Sequence, residues 1–164
     1  GLHRMGIRVA MLTGDSARTA EALARELGLD EVRAGLGPEQ KVAAIRELEH
    51  RYGAVAMAGD GINDAPALAA ATIGIAMGLA GSDAAIEAAD VALMGDDPGR
   101  VIVALQVARK AMRISWQNVA FSILVLAALV PAALAGVLSI APAVVVHEAS
   151  ELLAVANGLR AGRG

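Results

Sequence analysis

The chain of 164 residues contains no cysteine. That excludes a disulfide framework and every zinc or iron–sulfur site built on thiolates. Aromatic residues are nearly absent too, with Tyr52, Trp116 and Phe121 the only three. The 56% hydrophobic content therefore rests on aliphatic side chains, of which 38 are alanine. There is no excess of basic residues, since 14 Lys and Arg face 17 Asp and Glu for a net charge of −3. Without a basic stripe interleaved with aromatics, no nucleic-acid partner is expected. No G-X-Y or heptad repeat runs through the chain, and its apolar content argues against disorder.

The most informative absence is local. From Ile114 to Val146, 33 consecutive residues carry no charge. Fifteen of the 17 acidic and 12 of the 14 basic residues lie at or before Arg113. Two solvents are implied, water for the first region and hydrocarbon for the second. The opening Gly1-Leu2-His3-Arg4-Met5-Gly6 has no signal-peptide pattern and leads straight into an apolar strand. It reads as the middle of a larger protein.

In the first region short apolar runs alternate with helical patterns. Ile7–Leu12 predicts a strand ending at Thr13-Gly14-Asp15, and Ser16 caps a helix that runs to Leu27 and stops at Gly28. Pro38 opens a second helix reaching about His50. Ala54–Ala58 predicts a strand ending at Gly59-Asp60-Gly61, with further strands at Ile73–Met77 and Val91–Met94. Pro98 to Arg113 reads as a helix linking the two regions. Buried strands interleaved with helices imply an α/β fold around a parallel, Rossmann-type sheet. Ligands in such folds sit at the carboxyl ends of the strands, where both acidic turns fall.

Asp60 and Asp64, four residues apart in Gly59-Asp60-Gly61-Ile62-Asn63-Asp64, can converge on one hard cation. Mg²⁺ takes oxygen ligands of this kind and keeps water and substrate phosphate in its shell. Asn63 and Thr13 can hydrogen-bond phosphoryl oxygens, and Lys41 can neutralise charge developing in phosphoryl transfer. The plain alternative is a Gly-rich turn and a solvated lysine.

Thr13-Gly14-Asp15, Pro38-Glu39-Gln40-Lys41 and Gly59-Asp60-Gly61-Ile62-Asn63-Asp64-Ala65-Pro66-Ala67-Leu68, in that order, resemble the phosphorylation domain of a P-type cation-transporting ATPase. That domain has the haloacid-dehalogenase fold. The resemblance implies that Thr13 and Lys41 contact an aspartyl phosphate, Asp60 holds Mg²⁺, and Asn63 and Asp64 complete the site. Gly14 and Asp15 belong to the same motif, with Asp15 toward the nucleotide side of the cleft. The family's nucleophile lies in an Asp-Lys-Thr-Gly-Thr signature that does not occur here. The chain thus resembles the C-terminal part of such a pump, expected to be inactive alone and to need ATP and the missing N-terminal portion.

The charge-free stretch would make one helix of about 50 Å, against a hydrocarbon core of roughly 30 Å. A hairpin accounts for it if the second span continues to about Leu159. Gly136, Ser139 and Pro142 mark the turn, which gives spans near 114–135 and 141–159, with Pro131 kinking the first. Arg109, Lys110 and Arg113 precede the hairpin and Arg160 and Arg163 follow it, so both ends are expected on the cytoplasmic face. The rival is one span and a peripheral helix.

The hairpin places His147-Glu148-Ala149-Ser150-Glu151 within the membrane, where ionisable groups mark functional sites by default. His147, Ser150 and Glu151 share one helix face, while Glu148 is turned about 100° from His147. Imidazole with carboxylate suits Zn²⁺, Co²⁺ or Ni²⁺. Alternatively, His147 and Glu151 pair with each other, or mark a helix end. Asn157-Gly158-Leu159-Arg160 resembles the close of the last helix in type IB, heavy-metal P-type ATPases, and Gln117-Asn118 resembles a pair on an earlier helix of that family. The cobalt-associated subgroup carries His-Glu-Gly-x-Thr, of which His147 and Glu148 match while Ala149 and Glu151 depart. The resemblance implies ATP-driven transport of a divalent heavy metal at the plasma membrane. A pump for copper or potassium, or a membrane-anchored phosphatase of the same superfamily, are the alternatives.

Overall fold

The computed structural model describes the chain except residues 60, 61, 79–82, 96, 163 and 164, and the side chains of 62 and 83–85. Two compact units result, Gly1–Ile102 and Val103–Gly164.

The first unit alternates strands and helices in the order β1 (Ala10–Leu12), α1 (Ala17–Leu27), β2 (Glu31–Arg33), α2 (Pro38–Tyr52), β3 (Ala56–Gly59), α3 (Ala65–Ala70), β4 (Ile73–Met77), α4 (Asp83–Ala88) and β5 (Val91–Leu93). All observed strand pairs are parallel, as the interleaved pattern predicts. Among the described residues they form two sheets, β1–β2 and β3–β4–β5, so β1 and β3 each pair on one side only. The termini of α1 follow from its sequence. Ser16 accepts a hydrogen bond from the Thr19 amide, and Gly28 takes the left-handed conformation at the other end.

The core lies where α2 and α3 pack with β4. Ile45 and Leu48 of α2, Ala67 and Leu68 of α3, and Ile75 and Ala76 of β4 are buried. Burying Ile45 and Leu68 contributes roughly 1.5–3 kcal/mol each. Alanine and glycine bring the backbones close: a Cβ on Gly74 would stand 2.7 Å from the Leu68 carbonyl oxygen. This explains how so few large side chains fill a core.

β2 escapes a hydropathy reading because only Val32 is apolar, between Glu31 and Arg33. Charge docks this strand. The Arg33 guanidinium donates to both Glu47 oxygens at 2.7 and 3.0 Å and through Nε to Glu31 at 2.8 Å. Glu47 first, then Glu31, holds that guanidinium more firmly protonated than usual, and Arg33 holds the Glu47 carboxyl below the usual range. Nearby, the Asp30 carboxylate accepts the Val9 amide at 2.7 Å and sits 2.8 Å from His3 Nε2.

α5 (Gly99–Leu134) begins in the first unit and continues through the charge-free stretch, so the linking helix and the first span are one helix. Pro131 lies inside it. Gly136, with φ of 71°, falls between it and α6 (Ile140–Gly158). Both helices are long and apolar enough to cross a membrane. Large aliphatic side chains such as Leu124, Leu126, Val145, Leu152 and Val155 are exposed along them, which hydrocarbon tolerates and water does not. At one end an amide clasp joins the pair. Asn118 Nδ2 donates to the Ala154 carbonyl at 3.0 Å, and Asn157 Nδ2 donates to Asn118 Oδ1 at 2.9 Å. Arg163 of the basic flank lies outside the described residues.

Gly74→Ala should destabilise the first unit by about 1–3 kcal/mol, the usual penalty of overpacking, read as a lower melting temperature of the chain in detergent. The Val9 amide, then His3, keeps the Asp30 carboxyl below its ordinary value. Its contribution is therefore present above about pH 4 and lost as pH falls through the depressed folded value. Asp30→Asn should flatten the fall in melting temperature between about pH 5 and pH 3.

Candidate functional site

The carboxyl ends of β1 and β3 carry the two acidic turns. After β1, the Thr13 amide donates to the Arg33 carbonyl at 3.0 Å, which continues the β1–β2 ladder. Its hydroxyl donates to Asp15 Oδ2 at 3.0 Å and accepts the Asp15 amide at 3.1 Å. Thr13 and Asp15 thus fix one another around Gly14. Gly14 and Asp15 are exposed.

After β3 the chain turns through Ile62–Asp64 into α3. Asp60 lies outside the described residues, and the Asn63 side chain is exposed. Asp64 is the best-defined group of the turn. Lys41 Nζ donates to its Oδ1 at 2.6 Å, with the two side chains only 14% and 15% exposed. Lys41 is delivered by the first turn of α2, where Gln40 Oε1 accepts the Gly37 amide at 2.8 Å and the Lys41 amide donates to the Gly37 carbonyl. Such an ion pair, largely removed from water, is much stronger electrostatically than a surface pair.

Gly59, named in the sequence only as part of the motif, gains a specific role here. A Cβ there would stand 3.0 Å from Asp64 Oδ2. The missing side chain leaves room for the carboxylate to fold back on the end of β3, and the first glycine of Gly-Asp-Gly was the visible signal. Lys41 and Asp64 come together, and Thr13 and Asp15 come together. Among the described residues no hydrogen bond joins the two pairs.

In α6, His147 Nε2 lies 3.3 Å from Glu151 Oε1, both side chains more than half exposed. Ser150 is buried and donates its hydroxyl to the His147 carbonyl at 2.6 Å, a back-bond to the preceding turn. Its proton is committed, so only oxygen lone pairs remain for a cation. Glu148 is exposed. Among the described residues no three His, Asp or Glu side chains gather closely enough to hold a metal ion. His147 and Glu151 are the two such side chains that α6 brings together.

The parallel strands with acidic turns at their carboxyl ends define a haloacid-dehalogenase-like α/β unit, and residues 1–72 match the haloacid dehalogenase-like hydrolase family. Nearly all of the chain is similar to larger proteins. It is 51% identical over 163 residues to the probable cation-transporting ATPase G of Mycobacterium tuberculosis, covering 99% of this chain and 21% of that protein. It is 50% identical over 160 residues to a manganese-exporting P-type ATPase of the same species, covering 97% and 22%. A crystal structure of a zinc-transporting PIB-type ATPase in its E2.Pi state matches with a TM-score of 0.87 at 38% identity, covering 97% of this chain and 26% of that one. Over nearly its whole length the chain is thus similar to a part of cation-transporting P-type ATPases. It spans about a fifth of the length of the curated relatives it matches.

The Lys41–Asp64 pair should show a coupling of about 1–3 kcal/mol in a double-mutant cycle of Lys41→Met and Asp64→Leu, measured by denaturant unfolding. A coupling near zero would mean that the pair is solvated and does not hold α2 to the β3 turn.

Proposed function

We propose that this chain serves in an ATP-driven pump that moves a divalent heavy-metal ion across a membrane through an aspartyl phosphate. The observation that carries this reading is α5, one uninterrupted helix from a unit with phosphoryl-transfer chemistry into a membrane-length apolar segment. A helix of 36 residues, about 54 Å long, can transmit a rotation or tilt from one end to the other.

Three features support the first half of the cycle. Lys41 supplies a cation beside the β3 turn, Thr13 supplies a hydroxyl after β1, and Asn63 supplies an exposed amide. Mg²⁺ fits the donor set, because Asp60 and Asp64 offer only hard oxygen, and the missing side chain of Gly59 gives the Asp64 carboxylate its room. Asp60 and Asp64 would hold the ion, which when bound supplies charge neutralisation at phosphoryl oxygens. Lys41, 2.6 Å from Asp64, would face the same developing charge. Thr13, tied to Asp15, presents its hydroxyl oxygen at a fixed position. The nucleophilic aspartate belongs to a part of the pump outside this sequence. The one-sided pairing of β1 and β3 suits a further strand carrying it.

The second half of the cycle rests on α6. His147 lies seven residues from the start of a helix about 28 Å long, so it is roughly 10 Å deep. An imidazole and a carboxylate there suit a borderline divalent ion, and no Cys or Met stands beside His147 in α6 as a soft ligand. Relatives named for manganese, zinc and cadmium fall in the same divalent class. Glu148 and the Ser150 oxygen are the further donors that this segment can offer. Helices from elsewhere in the pump would complete the shell. The basic flanks of the hairpin support a cytoplasmic placement of the phosphorylation unit and the C-terminus, and export through the plasma membrane is what the resemblance to the family implies.

The test is ATP hydrolysis by the full-length protein in lipid, across Mn²⁺, Zn²⁺, Co²⁺, Ni²⁺, Cd²⁺, Cu⁺ and K⁺. One or a few divalent ions should stimulate it, and His147→Ala and Glu151→Ala should each lower that stimulation at least about tenfold. Phosphate release indifferent to all these ions would instead favour a membrane-anchored phosphatase.

A further inference from the structure

The second unit holds a cavity of about 620 Å³ lined by Lys110, Arg113, Ile114, Gln117 and Arg160. The transport chemistry above does not use it. Four of these residues stand at 110, 113, 114 and 117, the spacing of one face of α5. Arg160 follows the end of α6 and is steadied by Asn157, whose Oδ1 accepts its Nη1 at 3.0 Å. Asn157 is itself locked to Asn118 by the amide clasp. One of five guanidinium N–H donors is thereby engaged, which leaves others for a ligand. Arg113 and Arg160 line the cavity beside Lys110, and no carboxylate is among the lining residues.

Depth identifies the ligand. Arg113 is the last charge before the apolar stretch, and Trp116, three residues on, is exposed. An exposed tryptophan at that point marks the level where headgroups meet hydrocarbon. Ile114 is buried and adds an apolar side chain to the lining. A ligand with a phosphate for the cations and an apolar part for that side chain is a phospholipid. We propose that this cavity binds the headgroup phosphate of an anionic phospholipid, with Arg113 and Arg160 as its principal donors. The bound lipid would bridge the middle of α5 to the chain just after α6 and stiffen the hairpin where α5 leaves the bilayer. The proposal rests on the membrane reading of the hairpin, but on neither the identity of the metal nor the catalytic roles.

The full-length pump is placed in nanodiscs of phosphatidylcholine with increasing phosphatidylglycerol, and retained lipid is counted by native mass spectrometry. The wild type should keep phosphatidylglycerol and release phosphatidylcholine. Arg113→Gln with Arg160→Gln should need about thirtyfold more phosphatidylglycerol for half occupancy, roughly fivefold for each arginine. Arg113→Lys with Arg160→Lys, which keeps the charge, should retain most of the binding. Removing two arginines from the first unit, Arg18→Gln with Arg46→Gln, should change nothing. Equal retention by the Gln pair, equal retention of both lipids, or displacement by millimolar inorganic phosphate would each overturn the proposal. Failure of the wild type to enter the bilayer would overturn the membrane reading, and this inference with it.

Discussion

The 2.6 Å contact between Lys41 and Asp64 is the interaction on which the first unit turns. It ties the start of α2 to the loop that follows β3, and those two elements carry most of the charge chemistry. Each side chain is largely withdrawn from water, so removing either partner would leave the other poorly compensated. Around it the core is made of small parts: Ile45, Leu48 and Leu68 supply bulk, and alanines and Gly74 let helix and strand approach closely. That packing leaves little slack, which is what a site needs if a carboxylate and a lysine are to hold position.

A second constraint governs the other unit. Hydrocarbon accepts no unpaired charge, so the side chains that break the rule must have a reason to be there. His147 Nε2 and Glu151 Oε1 lie 3.3 Å apart, with more than half of each side chain exposed. Exposure of that kind suits a site whose remaining ligands come from neighbouring helices. The amides Asn118 and Asn157 satisfy one another across the hairpin. They fix how α5 and α6 are staggered, and so where along the pair the histidine stands.

Much of this is legible from residues alone. Apolar runs ending in Thr13-Gly14-Asp15 and Gly59-Asp60-Gly61 foretell parallel strands with acidic turns, and 33 uncharged residues foretell two membrane-length helices. Other parts are hidden for physical reasons. β2 is held by the Arg33 ion-pair network and not by apolar burial, so a hydropathy pattern misses it. α3 and α4 are six residues each and rich in alanine, too short to show a helical period. The boundary between linking helix and first span is invisible because there is none, as α5 runs through it. The role of Gly59 beside Asp64 and the commitment of the Ser150 proton to the helix backbone are matters of contact, which spacing cannot express.

The central claim is that phosphoryl chemistry in the first unit drives an ion past His147 in the second. Metal uptake into inside-out vesicles containing the full-length protein measures this most directly. The account predicts uptake of a divalent metal that requires ATP and disappears in His147→Ala, while the variant still folds and enters the membrane. ATP hydrolysis without any metal movement, or uptake that persists undiminished in His147→Ala, would contradict it.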